Sequence, residues 1–156
     1  MGLAGLERLS QKNRLLKNHF RRVPFPADGF YEWKKEGKGK QPYSFGMADD
    51  SLFAFAGLWD RRKNPQSEII EKCSTITTTP NALLADVHDR MPAILPVDDY
   101  DVWLDPGFKG TDDLKEMLRP FEAYLMKRYP VSTRVNLVKN DDPDCAAELK
   151  QQSVTV

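Results

Sequence analysis

Apolar residues along this chain fall mostly in short, β-branched or aromatic blocks bounded by Pro, Gly and Asp, the pattern of strands with helices set between them. Residues 6–20 read as a helix, although Leu6, Leu15, Leu16 and Phe20 are too sparse for deep burial. From Val23 the chain turns extended, because Pro24 and Pro26 exclude helix. Asp28-Gly29 makes a turn or bulge, and Phe30-Tyr31-Glu32-Trp33 follows as an aromatic-rich strand. Lys34 to Lys40 reads as a polar loop. Pro42 to Met47 and Leu52 to Trp59 read as two strands of one hairpin, joined through Ala48-Asp49-Asp50-Ser51. Leu52 to Ala56 is continuously apolar, which predicts a central strand covered on both faces.

Arg61 to Ser67 reads as an exposed loop and Ile69 to Thr78 as another strand, buried at its Thr75-to-Thr78 end. Thr79 then stands where a helix N-cap belongs, Pro80 suits the first helical position, and Leu83, Leu84 and Val87 give one apolar face. Met91 to Leu95 is extended. Pro96, Asp98 and Asp99 open a helix with Tyr100, Trp103 and Leu104 on a shared face, ended by Pro106-Gly107. Thr111 caps a further helix with Leu114, Met117 and Leu118 inward, stopped by Pro120; Tyr124 to Val131 is extended and the tail beyond Asn140 irregular. The class is α+β, strand-rich, with several short helices. There are no repeats and no linker, so residues 1–156 are expected to form a single domain.

Composition adds mainly exclusions. No apolar run is long enough to span a bilayer, no signal-peptide pattern opens the chain, and Leu6 stands where a myristoylation signal needs Ser or Thr. Two well-separated cysteines, Cys73 and Cys145, and two histidines leave little material for a metal site and fit a reducing cytoplasm. The formal net charge is zero, but residues 1–78 hold 14 Lys+Arg against 9 Asp+Glu, and residues 79–156 the reverse. Lys12, Arg14, Lys17, Arg21 and Arg22 form an acid-free run that reads either as a phosphate-contacting face or as a solvated helix face.

Two places carry candidate chemistry. His88 closes the short helix and is followed by Asp89, Arg90, Met91 and a Pro that forbids continuation. Unpaired helix carbonyls, Asp86 and Asp89 favour its protonated form, which suits an acid near neutral pH; the competing reading is a plain C-cap with a surface Asp89-Arg90 pair. Glu32 lies in an unusually apolar stretch. Facing inward, it is a desolvated general acid or base; facing outward, an ordinary strand glutamate beside lysines. Trp33 followed by Lys34 and Lys35 reads as a base-stacking platform or a core-rim aromatic. Cys73, within a strand pattern, reads as structural.

Taken together, these stretches resemble the SOS response-associated peptidase (SRAP) family of abasic-site processing proteins. The resemblance rests on PADGFYEWKK at Pro26 to Lys35, KQPY at Lys40 to Tyr43 and FAFAGLWD at Phe53 to Asp60. It continues through ITTTPNALLADVHDRMPAIL at Ile76 to Leu95, YPVSTRVN at Tyr129 to Asn136 and the late NDDPDC, all in the family's order. It implies an SRAP-like fold with a mixed, partly barrel-like sheet, and a cytoplasmic, nucleoid-associated monomer that needs no cofactor or metal. It also implies binding to single-stranded DNA and capture of the abasic-site aldehyde by an N-terminal cysteine, whose amine and thiol close a thiazolidine, with self-cleaving peptidase and lyase-type chemistry alongside. In that scheme Glu32 resembles the acid–base glutamate and His88 the histidine that assists ring opening, while Trp33, Thr77 and Arg90 resemble DNA contacts. The family opens Met-Cys-Gly-Arg and carries an Asn-Ala-Arg segment before the region of Lys12. Here the opening is Met-Gly-Leu-Ala, the expectation being a domain without roughly its first third and with no nucleophile. A non-catalytic single-stranded DNA binding module, and a Glu/His hydrolase of another substrate, are the alternatives.

Overall fold

The computed structural model describes residues 20–150, which fall into two compact units: 20–26, 53–78 and 92–121 in the first, and 27–52, 79–91 and 122–150 in the second. The expected helix over 6–20 and the basic residues Lys12, Arg14 and Lys17 lie outside the described residues, apart from Phe20, which opens a strand.

The first unit forms around β4 (Phe53–Lys63), which stands between β1 (Phe20–Ala27) and β5 (Ile69–Thr75). Phe53 and Ala54 are buried in succession, as are Ala56, Gly57 and Leu58, so both faces of the strand are covered, as its unbroken apolar run requires. Leu52 is the exception, exposed just before the strand begins. The β4–β5 ladder is antiparallel from Gly57↔Thr75 to Lys63↔Ile69, so the expected loop at Arg61 is shorter than its charge suggests. An exposed ladder end tolerates cations, and Arg61 faces Glu71 at 3.4 Å; the turn is confined to residues 64–68, where Ser67 takes φ +64°. Two-residue strands β6 (Thr77–Thr78), β7 (Met91–Pro92) and β8 (Ile94–Leu95) follow, β8 pairing antiparallel with β4 through Ala54↔Leu95.

Helices α1 (Tyr100–Leu104) and α2 (Thr111–Glu116) bring Trp103, Leu114, Met117 and Leu118 into a core with Ala56, Leu58, Ile76, Ala93 and Leu95. Leu104, expected inward with Trp103, is exposed, because a five-residue helix buries only one narrow stripe. Thr111 is the first helical residue, not the cap; Gly110 takes the N-cap place without a side-chain bond. Arg22, a member of the basic run, bonds the carbonyls of Trp103 (2.7 Å) and Phe108 (3.3 Å) and also that of Asp105. It satisfies orphan carbonyls at and beyond the α1 C-terminus, so it is a structural cation and not part of a phosphate face. Arg21 lies over the Trp59 ring at 5.3 Å.

Gly57 is buried where a Cβ would stand 2.1 Å from Cε2 of Phe25. The Phe25 ring occupies the space a side chain would fill. Gly57→Ala should therefore destabilise the protein by about 1–3 kcal/mol, read as a lower denaturant midpoint at unchanged slope.

The second unit is built on an antiparallel sheet of β2 (Phe30–Glu36), β3 (Gly39–Met47) and β9 (Met126–Pro130), in that order. The polar stretch Lys34 to Lys40 is mostly strand: the ladder runs to Glu36↔Gly39 and leaves only Gly37 and Lys38 as the turn. Gly37 supplies the positive φ, +56°, that such a tight reversal needs. The expected hairpin between Pro42–Met47 and Leu52–Trp59 does not form. Both edges of β3 are already paired, with β2 and β9, so the strand at 53–63 finds its partners in the other sheet. A turn closed by Asp50 N–H to the Met47 carbonyl (3.2 Å), with Asp50 at φ +61°, sends the chain away instead. The strand-rich α+β class stands, with sheets that remain open and do not close into a barrel.

Candidate active site

Strand alternation sorts the second unit's side chains. Phe30, Glu32 and Lys34 of β2 share a face with Tyr43 and Phe45 of β3 and with Arg128 and Pro130 of β9, through the pairs Glu32↔Tyr43, Tyr43↔Pro130 and Phe45↔Arg128. The Phe30 and Phe45 rings stack at 5.2 Å, and Arg128 lies over Tyr43 at 5.4 Å. Trp33, paired with Pro42, takes the opposite face.

The segment 81–90 covers the Glu32 face. It forms consecutive turns instead of the expected regular helix, with Ala85 and His88 N–H bonding the carbonyls of Asn81 and Leu84 at 3.0 Å. The cap is Asn81 and not Thr79: its Oδ1 accepts from the N–H groups of Leu83 (3.0 Å) and Leu84 (3.2 Å). Leu84 and Val87 are buried and Leu83 partly so, as the apolar spacing predicts. Asp86 anchors the segment to the sheet, bonding Lys34 Nζ at 2.7 Å and both terminal nitrogens of Arg128. Arg128 Nη1 also donates to the Leu83 carbonyl at 2.7 Å.

His88 and Asp89 of the same segment act electrostatically on Glu32. Burial pushes the half-buried Glu32 carboxyl above the usual carboxylate range; His88 pulls it back, as do the Trp33 backbone N–H and Lys40, while Asp89 pushes it further. Nδ1 of His88 lies 3.1 Å from both the amide nitrogen and the carbonyl oxygen of Arg90, and 3.2 Å from Asp89 Oδ1. Unprotonated, it accepts from the Arg90 N–H; protonated, it donates to the carbonyl or the carboxylate. Either way Nδ1 is occupied locally, and Nε2 is the nitrogen left for exchange with other groups. A carboxyl and an imidazole of this kind can pass protons to and from a small polar substrate.

Of the five residues singled out by sequence, Glu32 and His88 are thus brought together, with Arg90 adjoining through its main chain. Trp33 is fixed elsewhere, its Nε1 donating to Asn136 Oδ1 at 2.7 Å. Thr77 belongs to the first unit and is buried, 8% exposed. Among the described residues no group of His, Cys, Asp and Glu is arranged to hold a metal ion, and no helix is long and apolar enough to cross a membrane. Cys73 is exposed and Cys145 buried, both as free thiols.

The family model for SOS response associated peptidase (SRAP) matches residues 5–138. The chain belongs to the SRAP family. Its relatives include the abasic site processing protein YoqW of Bacillus subtilis (strain 168), 41% identical over 90% of this SRAP chain and 64% of its own length. The abasic site processing protein HMCES of Gallus gallus is 34% identical over 93% of this chain and 48% of its own. The chain therefore spans about half to two thirds of the length of these relatives. A crystal structure of a protein from Bacteroides thetaiotaomicron superposes with a TM-score of 0.76 at 30% identity, over 83% of this chain and 57% of that one.

Sequence reasoning missed the supports of this candidate site. Asp86 entered it only as a charge near His88, whereas it is committed to Arg128 and Lys34, which hold its carboxyl far below the usual range. Arg128 lies 42 positions from Asp86, and no local spacing could have joined them. Asn136 as the Trp33 partner was equally out of reach, at 103 positions.

Proposed function

We propose that this chain acts on abasic sites in single-stranded DNA, with Glu32 and His88 exchanging the protons of sugar ring opening and Trp33, Arg90 and Thr77 contacting the DNA. The observation that carries this reading is a half-buried carboxyl with a raised pKa set against the His88-Asp89 turn, in a chain whose relatives are named abasic site processing proteins. The two compact units are taken to serve one SRAP domain, since a single family model runs across both.

The closed abasic sugar is a hemiacetal. Opening it removes the proton of the anomeric hydroxyl and delivers one to the ring oxygen, leaving an aldehyde. A carboxyl that holds its proton to higher pH than usual and an imidazole beside it divide those two transfers between them. An amine then adds to the aldehyde, water leaves to give an imine, and a thiol on the adjacent carbon closes a thiazolidine. In the family scheme an N-terminal cysteine supplies both groups. In this polypeptide the only thiols are Cys73 and Cys145, whose amines are locked in peptide bonds, so neither can close that ring. Incubated with an oligonucleotide carrying one abasic site, these 156 residues should give no heat-resistant band on a denaturing gel.

The acid–base half is testable separately by adding free cysteine, which carries amine and thiol together. The protein should speed thiazolidine formation on the bound oligonucleotide beyond a protein-free control. No acceleration, with binding intact, would replace this reading by that of a non-catalytic binding module.

Binding itself should weaken as salt rises and depend little on sequence, because phosphate contacts and stacking tolerate any base. Trp33→Ala should weaken it by about tenfold, the lower part of the range for one stacked base, and Arg90→Ala should reduce both affinity and salt dependence. Fluorescence anisotropy of a labelled oligonucleotide across a salt series measures both. Affinity that ignores salt would remove the phosphate-contact component.

A further inference from the structure

We infer that Asp86 is a positioning residue: clamped between Lys34 and Arg128, it holds the 81–90 segment on the sheet so that His88 stands at Glu32. This inference rests on the acid–base reading of Glu32 and His88 and extends it to the groups that aim the pair.

The clamp joins three separate pieces of chain. Lys34 lies on β2, two residues beyond Glu32 and on its face, and reaches Asp86 Oδ2 at 2.7 Å. Arg128 lies on β9 and grips the same carboxylate with both terminal nitrogens, Nη2 at 3.2 Å from Oδ2. The same guanidinium bonds the Leu83 carbonyl at 2.7 Å and lies 5.4 Å over the ring of Tyr43, the cross-strand partner of Glu32. One cation thus touches the turn at its backbone, the turn at its carboxylate and the strand opposite Glu32. Asp86 is two residues from His88, and the turn between them is tied by the Val87 and His88 N–H groups to the Leu84 carbonyl, at 2.8 and 3.0 Å. Displacing Asp86 therefore displaces His88.

As a contribution to stability such a pair counts for little, because the Asp86 side chain is 46% exposed and solvent screens it. Its geometry is what stands out: a bidentate Arg–carboxylate fork fixes orientation as well as distance. A segment of irregular turns has no regular hydrogen-bond ladder to set its pose, so the fork supplies what helical structure does not.

The sign of one measurement separates aiming from direct electrostatics. The groups whose charge acts on Glu32 are His88 and Asp89 from the turn and Lys40 from β3, with the Trp33 N–H from its own strand. Removing His88 from that set raises the Glu32 titration, since His88 lowers it. Asp86→Asn removes a negative charge and unmasks two cations, which by direct electrostatics alone lowers it. If Asp86 aims His88, the variant swings His88 away while buried Leu84 and Val87 keep the 81–90 segment on the sheet, so Glu32 stays desolvated and its titration instead rises, as in His88→Ala.

The experiment follows the Glu32 side-chain carboxyl by 13C NMR in the full chain, with the signal assigned by its loss in Glu32→Gln. Asp86→Asn and the charge-conserving Arg128→Lys, which loses the fork, should both move the midpoint upward. His88→Ala should add nothing further in the Asp86→Asn background. An unchanged or lowered midpoint in both variants, with the native spectrum otherwise retained, overturns the positioning role while leaving the Glu32–His88 pair intact. If His88→Ala alone leaves Glu32 unmoved, the pair itself fails and this inference with it. Should Asp86→Asn not fold, Arg128→Lys decides by the same criterion.

Discussion

Replacing Glu32 by glutamine should remove most of the acceleration of free-cysteine capture, a loss of about 100-fold or more if the group acts as a general acid–base. Glutamine keeps the size and hydrogen bonding of the side chain but cannot carry the proton. Affinity for single-stranded DNA should not fall, since losing a carboxylate removes repulsion from phosphates. Stability should move the other way from activity. A carboxyl whose folded pKa is raised contributes stability that is fully present below its unfolded value, near 4.5, and is lost as pH climbs from there through the folded value. Above its folded value the ionised Glu32 is therefore a burden to the folded state that Glu32→Gln lacks. Thermal unfolding of both proteins from acid to neutral pH should show the variant gaining on the parent as pH rises. A difference in Tm that does not change with pH would mean that the carboxyl is no less solvated folded than unfolded, and would remove the basis for its acid–base role.

How far this site could be read from sequence follows from the range of the forces that make it. The apolar run at β4 dictated a two-sided, central strand, and the Leu83, Leu84 and Val87 spacing dictated which way the 81–90 turn faces, since burial follows local periodicity. The cap falls two residues beyond Thr79 because Thr79 and Asn81 are both competent N-caps and it is the Asn81 Oδ1 that reaches two N–H groups. The stretch Lys34 to Lys40 reads as loop by composition, yet an edge strand accommodates lysines readily, and a single glycine at positive φ suffices to turn it. Pairing between strands is the feature that local sequence encodes least. The stretch Ala48-Asp49-Asp50-Ser51 between β3 and β4 looks like a hairpin turn, and only the prior claim of β2 and β9 on the two edges of β3 rules it out. Alternation left the orientation of Glu32 open, and the register with Tyr43 and the covering turn closes that question. The Asp86 clamp and the Trp33–Asn136 bond are long-range contacts that no periodicity encodes.

Trp103→Ala should be the most damaging single change in the first unit. The side chain has no solvent exposure and packs in the core with Leu95, Leu114 and Leu118. Its Nε1 donates to the Val23 carbonyl at 3.2 Å, so β1 is tied to α1 through the indole. The Arg22 guanidinium lies 5.9 Å from the ring centroid while bonding the Trp103 carbonyl, so loss of the ring also loosens the residue that satisfies the end of α1. Truncating a buried aromatic costs about 3–5 kcal/mol, and leaving a carbonyl without its partner adds about 1–3 kcal/mol. Against a typical domain stability of about 5–15 kcal/mol, the variant should be largely unfolded or melt many degrees lower. Trp103→Phe separates the two causes: it keeps most of the packing, loses the N–H, and should fall between parent and alanine variant. If the alanine variant melts within a few degrees of the parent, the indole is not the keystone of this core, and packing among Leu95, Leu114 and Leu118 must close the cavity unaided.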